Sequence, residues 1–113
     1  MRSRRNSRKS PGESQTLRYQ VVLSRAAAKD LQRLPRKLIA HLQNRGFPAL
    51  ADNPHGAGHP KHGPLAGLYS YNFGPHGGYR VVYEILDSER LILVIAIGPH
   101  DQAYRRAARR YLS

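Results

Sequence analysis

Three residues in this chain have the chemistry to act on a phosphodiester, and they lie in two segments that one fold can bring together. Arg80 sits in GGYRVVYEI, residues 77–85, and His100 and Tyr104 sit in GPHDQAY, residues 98–104. A guanidinium grips phosphate oxygens through two parallel hydrogen bonds. An imidazole titrates near neutral pH and serves as acid or base. A phenol orients a proton or stacks on an extruded base. RNA cleavage by its own ribose 2′-hydroxyl needs such a set: a base, an acid for the leaving 5′-oxygen, and a cation where negative charge builds. No metal or other cofactor is required. Each residue also has a structural reading. Arg80 can pair with Glu84 along its own strand face, His100 can be a surface loop residue, and Tyr104 can belong to the core.

The elements that must position these groups follow from periodicity. RYQVVLS, residues 18–24, alternates as a strand, and Ser24 suits the N-cap of a helix RAAAKDLQRL with Ala27, Leu31 and Leu34 facing inward. Pro35 fits the first turn of a second helix, PRKLIAHLQNR, buried through Leu38, Ile39 and Leu42. GFP at 46–48 is expected to break or kink it. Residues 53–67 read as a Gly/Pro-rich loop. LYSYNF (68–73), the Arg80 strand and RLILVIAIG (90–98) follow as strands, the last apolar on both faces and so central. A final helix carries Tyr104, Ala107, Ala108 and Tyr111 on one stripe and Arg105, Arg106, Arg109 and Arg110 on the other. The expected fold is α+β in the order β-α-α-β-β-β-α, a small antiparallel sheet packed on an N-terminal helical hairpin. A three-residue hairpin turn at Asp87–Glu89 would place Arg80 opposite Ala96, near the end of the last strand and close to His100 and Tyr104.

Charge narrows the partners. Nineteen Lys and Arg against seven Asp and Glu give +12, and residues 1–18 hold only six of the basic residues, so the other 95 remain basic at +7. Such a field favours polyanions, with an acidic protein partner as the competing explanation. Residues 1–17 read as a disordered basic arm and 18–113 as one domain. The opening MRSRRNSRKSPGESQ has no apolar segment and is not read as a secretory signal. No apolar run approaches the about 20 residues of a membrane span. The chain has no cysteine, which fits a reducing cytoplasm and removes disulfides and thiolate metal sites. His55, His59 and His62 share one loop, but its Gly and Pro content argues against a rigid metal site, and none is expected.

YQVVLSRAAAKDLQRLP (19–35), LAGLYSYNF (65–73), GGYRVVYEI and VIAIGPHDQAYRRA (94–107) together resemble the RelE/ParE toxin superfamily of bacterial type II toxin–antitoxin modules. The resemblance spans about residues 18–112. It implies a cytoplasmic toxin that enters the ribosomal A site and cuts mRNA there without a metal, and a cognate antitoxin that covers the site in a hetero-oligomeric complex. It matches Arg80 to the arginine aimed at the scissile phosphate and Tyr104 to the tyrosine of the last helix. His100 stands where many members have a second arginine. Ser70 and Asn72 occupy the positions of the usual lysine pair, so RNA-binding charge is expected from Lys61, Arg105, Arg106 or the arm. The ParE branch shares the fold and poisons DNA gyrase by binding; His100 is the feature that separates the two readings, since a gyrase binder needs no proton donor there. A module that only holds RNA is the third possibility.

Overall fold

The computed structural model describes residues 18–112; the expected basic arm, residues 1–17, lies outside them. Strand β1, Gln20–Leu23, leads into α1, Arg25–Gln32, whose first turn is capped as the sequence predicts: Ser24 Oγ accepts from the Ala27 N–H at 3.1 Å. Helix α2, Arg36–His41, follows Pro35. The expected break at 46–48 does not occur. Residues Leu42–Gly46 form a π-helical turn that carries the chain directly into α3, Phe47–Asp52. Phe47 N donates to Leu42 O, five residues back, and Pro48 falls in the first turn of α3, where a missing N–H costs nothing.

The stretch read as a loop is also more ordered than its composition predicts. It holds a one-turn helix α4, Pro54–Ala57, capped by Asn53, and a two-residue edge strand β2, His59–Pro60. After a 3-10 turn at Gly63–Leu65 come β3, Leu68–Phe73, and β4, Tyr79–Leu86. Strand β5, Leu91–Pro99, runs straight into α5, His100–Leu112.

The five strands order as β1-β5-β4-β3-β2, with β5 interior as expected. The class is α+β, but the sheet is mixed: β1 pairs parallel to β5, and the other pairs are antiparallel. The helices between β1 and the rest of the sheet supply the crossover that a parallel pair demands.

Register differs from the three-residue turn in two steps. The hairpin uses Asp87–Glu89 plus Arg90 in the left-handed conformation (φ 55°), so Leu86 pairs with Leu91. A bulge then inserts one extra β5 residue opposite Val82/Tyr83. Arg80 consequently faces Gly98, two positions further along than Ala96. The bulge also turns two successive residues, Ile95 and Ala96, onto one face.

Side-chain alternation divides the core in two. Val81, Tyr83, Ile92, Val94 and Ile97 pack against Ala27, Leu34, Leu42 and Leu50 of the N-terminal helical segment. On the other face Leu68, Val82, Ile95 and Ala96 pack against Ala103 and Ala107 of α5. The expected arginine face of α5 is only half open. Arg106 Nη1 donates to Ile97 O at 2.8 Å, and Arg110 Nη1 donates to Ile95 O at 2.9 Å and to Asp30 Oδ2 at 2.7 Å. The cause is the short β1: it pairs with β5 only as far as Val94, and beyond that point backbone groups need other partners. Asp30, 1% exposed, takes the Ile97 N–H at 3.1 Å and fixes α1 to the same edge. Tyr111 is exposed rather than part of a buried stripe.

Candidate active site

The α5 face of the sheet places side chains of β3, β4 and the residue after β2 around one atom, the hydroxyl oxygen of Tyr104. Tyr104 enters this face because α5 starts immediately at the end of β5, where the His100 N–H donates to Gly78 O at 2.9 Å. One helical turn further on, the phenol reaches Lys61 Nζ at 3.2 Å, Ser70 Oγ at 3.1 Å and Arg80 Nε at 3.2 Å. The Lys61 ammonium also lies 4.4 Å from the centroid of the Tyr104 ring. Burial pushes the Tyr104 phenol up, but hydrogen bonds from Ser70, Lys61 and Arg80 and the Lys61 charge outweigh it, leaving the group below the ordinary tyrosine value.

Arg80 is on the expected face, beside Val82, and half-buried. Its guanidinium turns back over the β3–β4 turn rather than along the strand to Glu84. Nη1 donates to Gly77 O and to Tyr79 O, the latter at 3.1 Å, while Nε holds Tyr104. Nη2 has no hydrogen-bond partner among the described residues. The result is a fixed cation whose remaining nitrogen, Nη2, is left for a ligand. His100, exposed at the start of α5, packs edge-on against the Tyr104 ring with centroids 4.9 Å apart. Its Nδ1 lies 2.7 Å from Asp101 Oδ1, which orients the imidazole and leaves Nε2 for a ligand. Arg80, His100 and Tyr104 thus meet on one rim of the sheet.

Lys61 joins them through an element that the sequence did not reveal. β2 pairs with β3 through His59 opposite Ser70 and Pro60 opposite Tyr69, and Lys61 N donates to Leu68 O at 2.8 Å. Gly58 makes this approach feasible: a Cβ there would lie 2.7 Å from Ser70 O and would also meet the Tyr83 hydroxyl. That hydroxyl donates to Pro54 O at 2.7 Å, and burial pushes its pKa well up.

The other two cationic candidates are not gathered here. Arg105 is exposed on α5, one residue past Tyr104. Arg106 is engaged with Ile97 O and with Gln102 Oε1, and lies 3.6 Å from Asp30. Gly98 permits that arrangement, since a Cβ there would sit 2.6 Å from Arg106 Nη1. Ser70, 2% exposed, is the site residue that the sequence identified only as a missing lysine. Alternation was the available signal, because Leu68, Ser70 and Asn72 share the Arg80 face. The loop histidines do not converge; His55 bonds Tyr69 and Asp87 at the far end of the sheet.

With this geometry in place, likeness to known proteins identifies the chain. Residues 21–108 match the family described as the ParE-like toxin of type II bacterial toxin–antitoxin systems. The chain is 40% identical over 87 residues to Toxin RelE of Mycobacterium tuberculosis, covering 77% of this chain and 87% of that one. It is 30% identical to Toxin RelG of the same organism, covering 78% and 98%. Its fold resembles a chain of the RelBE2 toxin–antitoxin complex from M. tuberculosis, with a TM-score of 0.66, 28% identity, and coverage of 74% of this chain and 99% of that one. The protein belongs to the RelE/ParE toxin family of type II toxin–antitoxin systems.

Proposed function

We propose that this toxin is a metal-independent endoribonuclease that cuts mRNA on the ribosome, with Arg80, His100 and Tyr104 as its catalytic residues. The observation that carries the reading is the hydroxyl of Tyr104 held by two cations, Lys61 and Arg80, with an imidazole against the same ring. Arg80 Nη2 binds the scissile phosphate, and the guanidinium offsets charge on its oxygens. Tyr104, whose ionisation the surrounding donors favour, takes the 2′-hydroxyl proton on its deprotonated oxygen. The ribose O2′ then bonds to phosphorus, and the bond to the 5′-oxygen breaks. Protonated His100 gives its proton to that leaving oxygen. The products are a 2′,3′-cyclic phosphate and a 5′-hydroxyl end. Lys61 adds affinity for the backbone, as does exposed Arg105, while Arg106 is committed to the sheet. An antitoxin of the kind seen with the M. tuberculosis RelBE2 relative is the expected partner, and a ribosomal target places the toxin in the cytoplasm.

A second reading is a ParE-like gyrase poison, since the family that matches residues 21–108 is described as ParE-like. One experiment separates them. The toxin is expressed briefly, transcript 5′ ends are mapped on translated and untranslated copies of one message, and gyrase supercoiling is assayed with purified protein. The nuclease reading expects cuts confined to translated frames and normal supercoiling. Intact message with blocked supercoiling would establish the gyrase reading in its place.

A further inference from the structure

The Tyr104 hydroxyl has as many obligatory donors around it as a neutral phenol can accept. A phenol offers one proton and two acceptor positions. Lys61 Nζ and Arg80 Nε are donors without acceptor capacity, and together they occupy both positions. The phenol proton then has one place to go among the described residues, Ser70 Oγ at 3.1 Å. Ser70 is almost fully buried, so bulk water does not substitute for it. Tyr104 is also the hydrogen-bond partner of the Ser70 hydroxyl among those residues.

We infer that Ser70 is a positioning residue for Tyr104, its rotatable hydroxyl accepting from the neutral phenol and donating to the phenolate. Loss of the phenol proton would otherwise leave the oxygen short of a donor, and its return would leave an O–H short of an acceptor. A hydroxyl fills both roles by turning about one bond. An ammonium or a methyl group cannot. The position therefore wants a serine or threonine once the cation is supplied from β2 by Lys61. Ser70 touches no substrate in this scheme; it acts through Tyr104, so its catalytic consequence rests on the nuclease reading.

The hydrogen bond to a charged phenolate is stronger than that to the neutral phenol. Removing Ser70 should therefore penalise the ionised form more and raise the Tyr104 titration midpoint. The direction agrees with the part that Ser70 plays in lowering it. The test is a titration of the free full-length protein carrying tyrosine labelled with carbon-13 at Cζ, the Tyr104 signal being assigned with Tyr104→Phe. Ser70→Ala is expected to shift the midpoint upward, and Ser70→Thr to restore it. The rising limb of the cleavage–pH profile should move the same way, which a purely structural defect would not produce.

An unmoved midpoint in Ser70→Ala, or a threonine variant that behaves like alanine, overturns the inference. If Ser70→Ala does not fold, Ser70→Cys, a weaker donor, should move the midpoint in the same direction, and a wild-type midpoint there refutes the idea equally. A shifted midpoint in a protein that cuts no RNA supports the role of Ser70 and removes the nuclease reading. Cleavage with an unshifted midpoint removes only the role of Ser70.

Discussion

At the residue scale the proposed site sets a fixed cation beside two groups able to transfer a proton. Arg80 is locked to Tyr104 and to backbone carbonyls, whereas His100 is exposed, with Asp101 at its Nδ1 and the Tyr104 ring against it. That contrast fits an imidazole that meets a leaving group after substrate arrives. His100→Gln is expected to lower the cleavage rate by about 10²–10⁴, the usual worth of a general acid, while ribosome binding persists. An unchanged rate measured in single turnover would remove His100 from the chemistry. Much of this cluster was legible, because strand alternation put Arg80 on the face opposite Tyr79 and Tyr83. Ser70 was read as an absence rather than a partner, since nothing in its own chemistry marks it until the Tyr104 hydroxyl is seen beside it. Pairing with Glu84 was the structural alternative for Arg80, but the guanidinium folds back over the turn, where the carbonyls of Gly77 and Tyr79 accept its protons.

At the element scale, two short pieces govern the site, and both escaped the sequence. The two-residue strand β2 delivers Lys61, and its His-Pro composition carries no alternation from which a strand could be read. The β5 bulge moves Arg80 to face Gly98, and a bulge inside an apolar run leaves no compositional trace. Gly46 and Pro48 predicted a broken helix, but a π-helical turn absorbed them. The junction of α1, α5 and β5 is an equal surprise, since nothing in the sequence singled out Asp30. Its carboxylate is buried, takes a backbone N–H and holds Arg110 through both oxygens, at 2.7 and 3.3 Å. Removing one member of a buried ion pair strands the other, at a cost of about 3–5 kcal/mol for full burial. Arg110 keeps some solvent exposure, so about 2–4 kcal/mol is expected for Asp30→Ala. For a domain of this size that corresponds to a fall in Tm of at least about 8 °C. Thermal unfolding followed by circular dichroism measures it, and a Tm within a degree or two of wild type would contradict the role given to Asp30.

For the molecule as a whole, the fold class was readable because each local signal agreed with its neighbours: the Ser24 cap, the Pro35 helix start and the doubly apolar last strand. The parallel placement of β1 was not readable, since a four-residue strand pairs equally well by composition with either edge. The sheet is the frame that joins distant parts of the chain. It brings residues 61, 70, 80, 100 and 104 to one rim, while α5 is anchored along the β5 edge by Arg106 and Arg110. The chain is strongly basic overall, a polarity suited to the phosphate-rich surface of a ribosome. The most direct trial of the account uses purified toxin and ribosomes programmed with a defined message, comparing wild type with Arg80→Ala by 5′-end mapping. Wild type should cut within the translated frame, and Arg80→Ala should lose at least about 10²-fold of that activity with its melting temperature retained. A folded Arg80→Ala protein that cuts as fast as wild type would contradict the claim that this guanidinium meets the scissile phosphate.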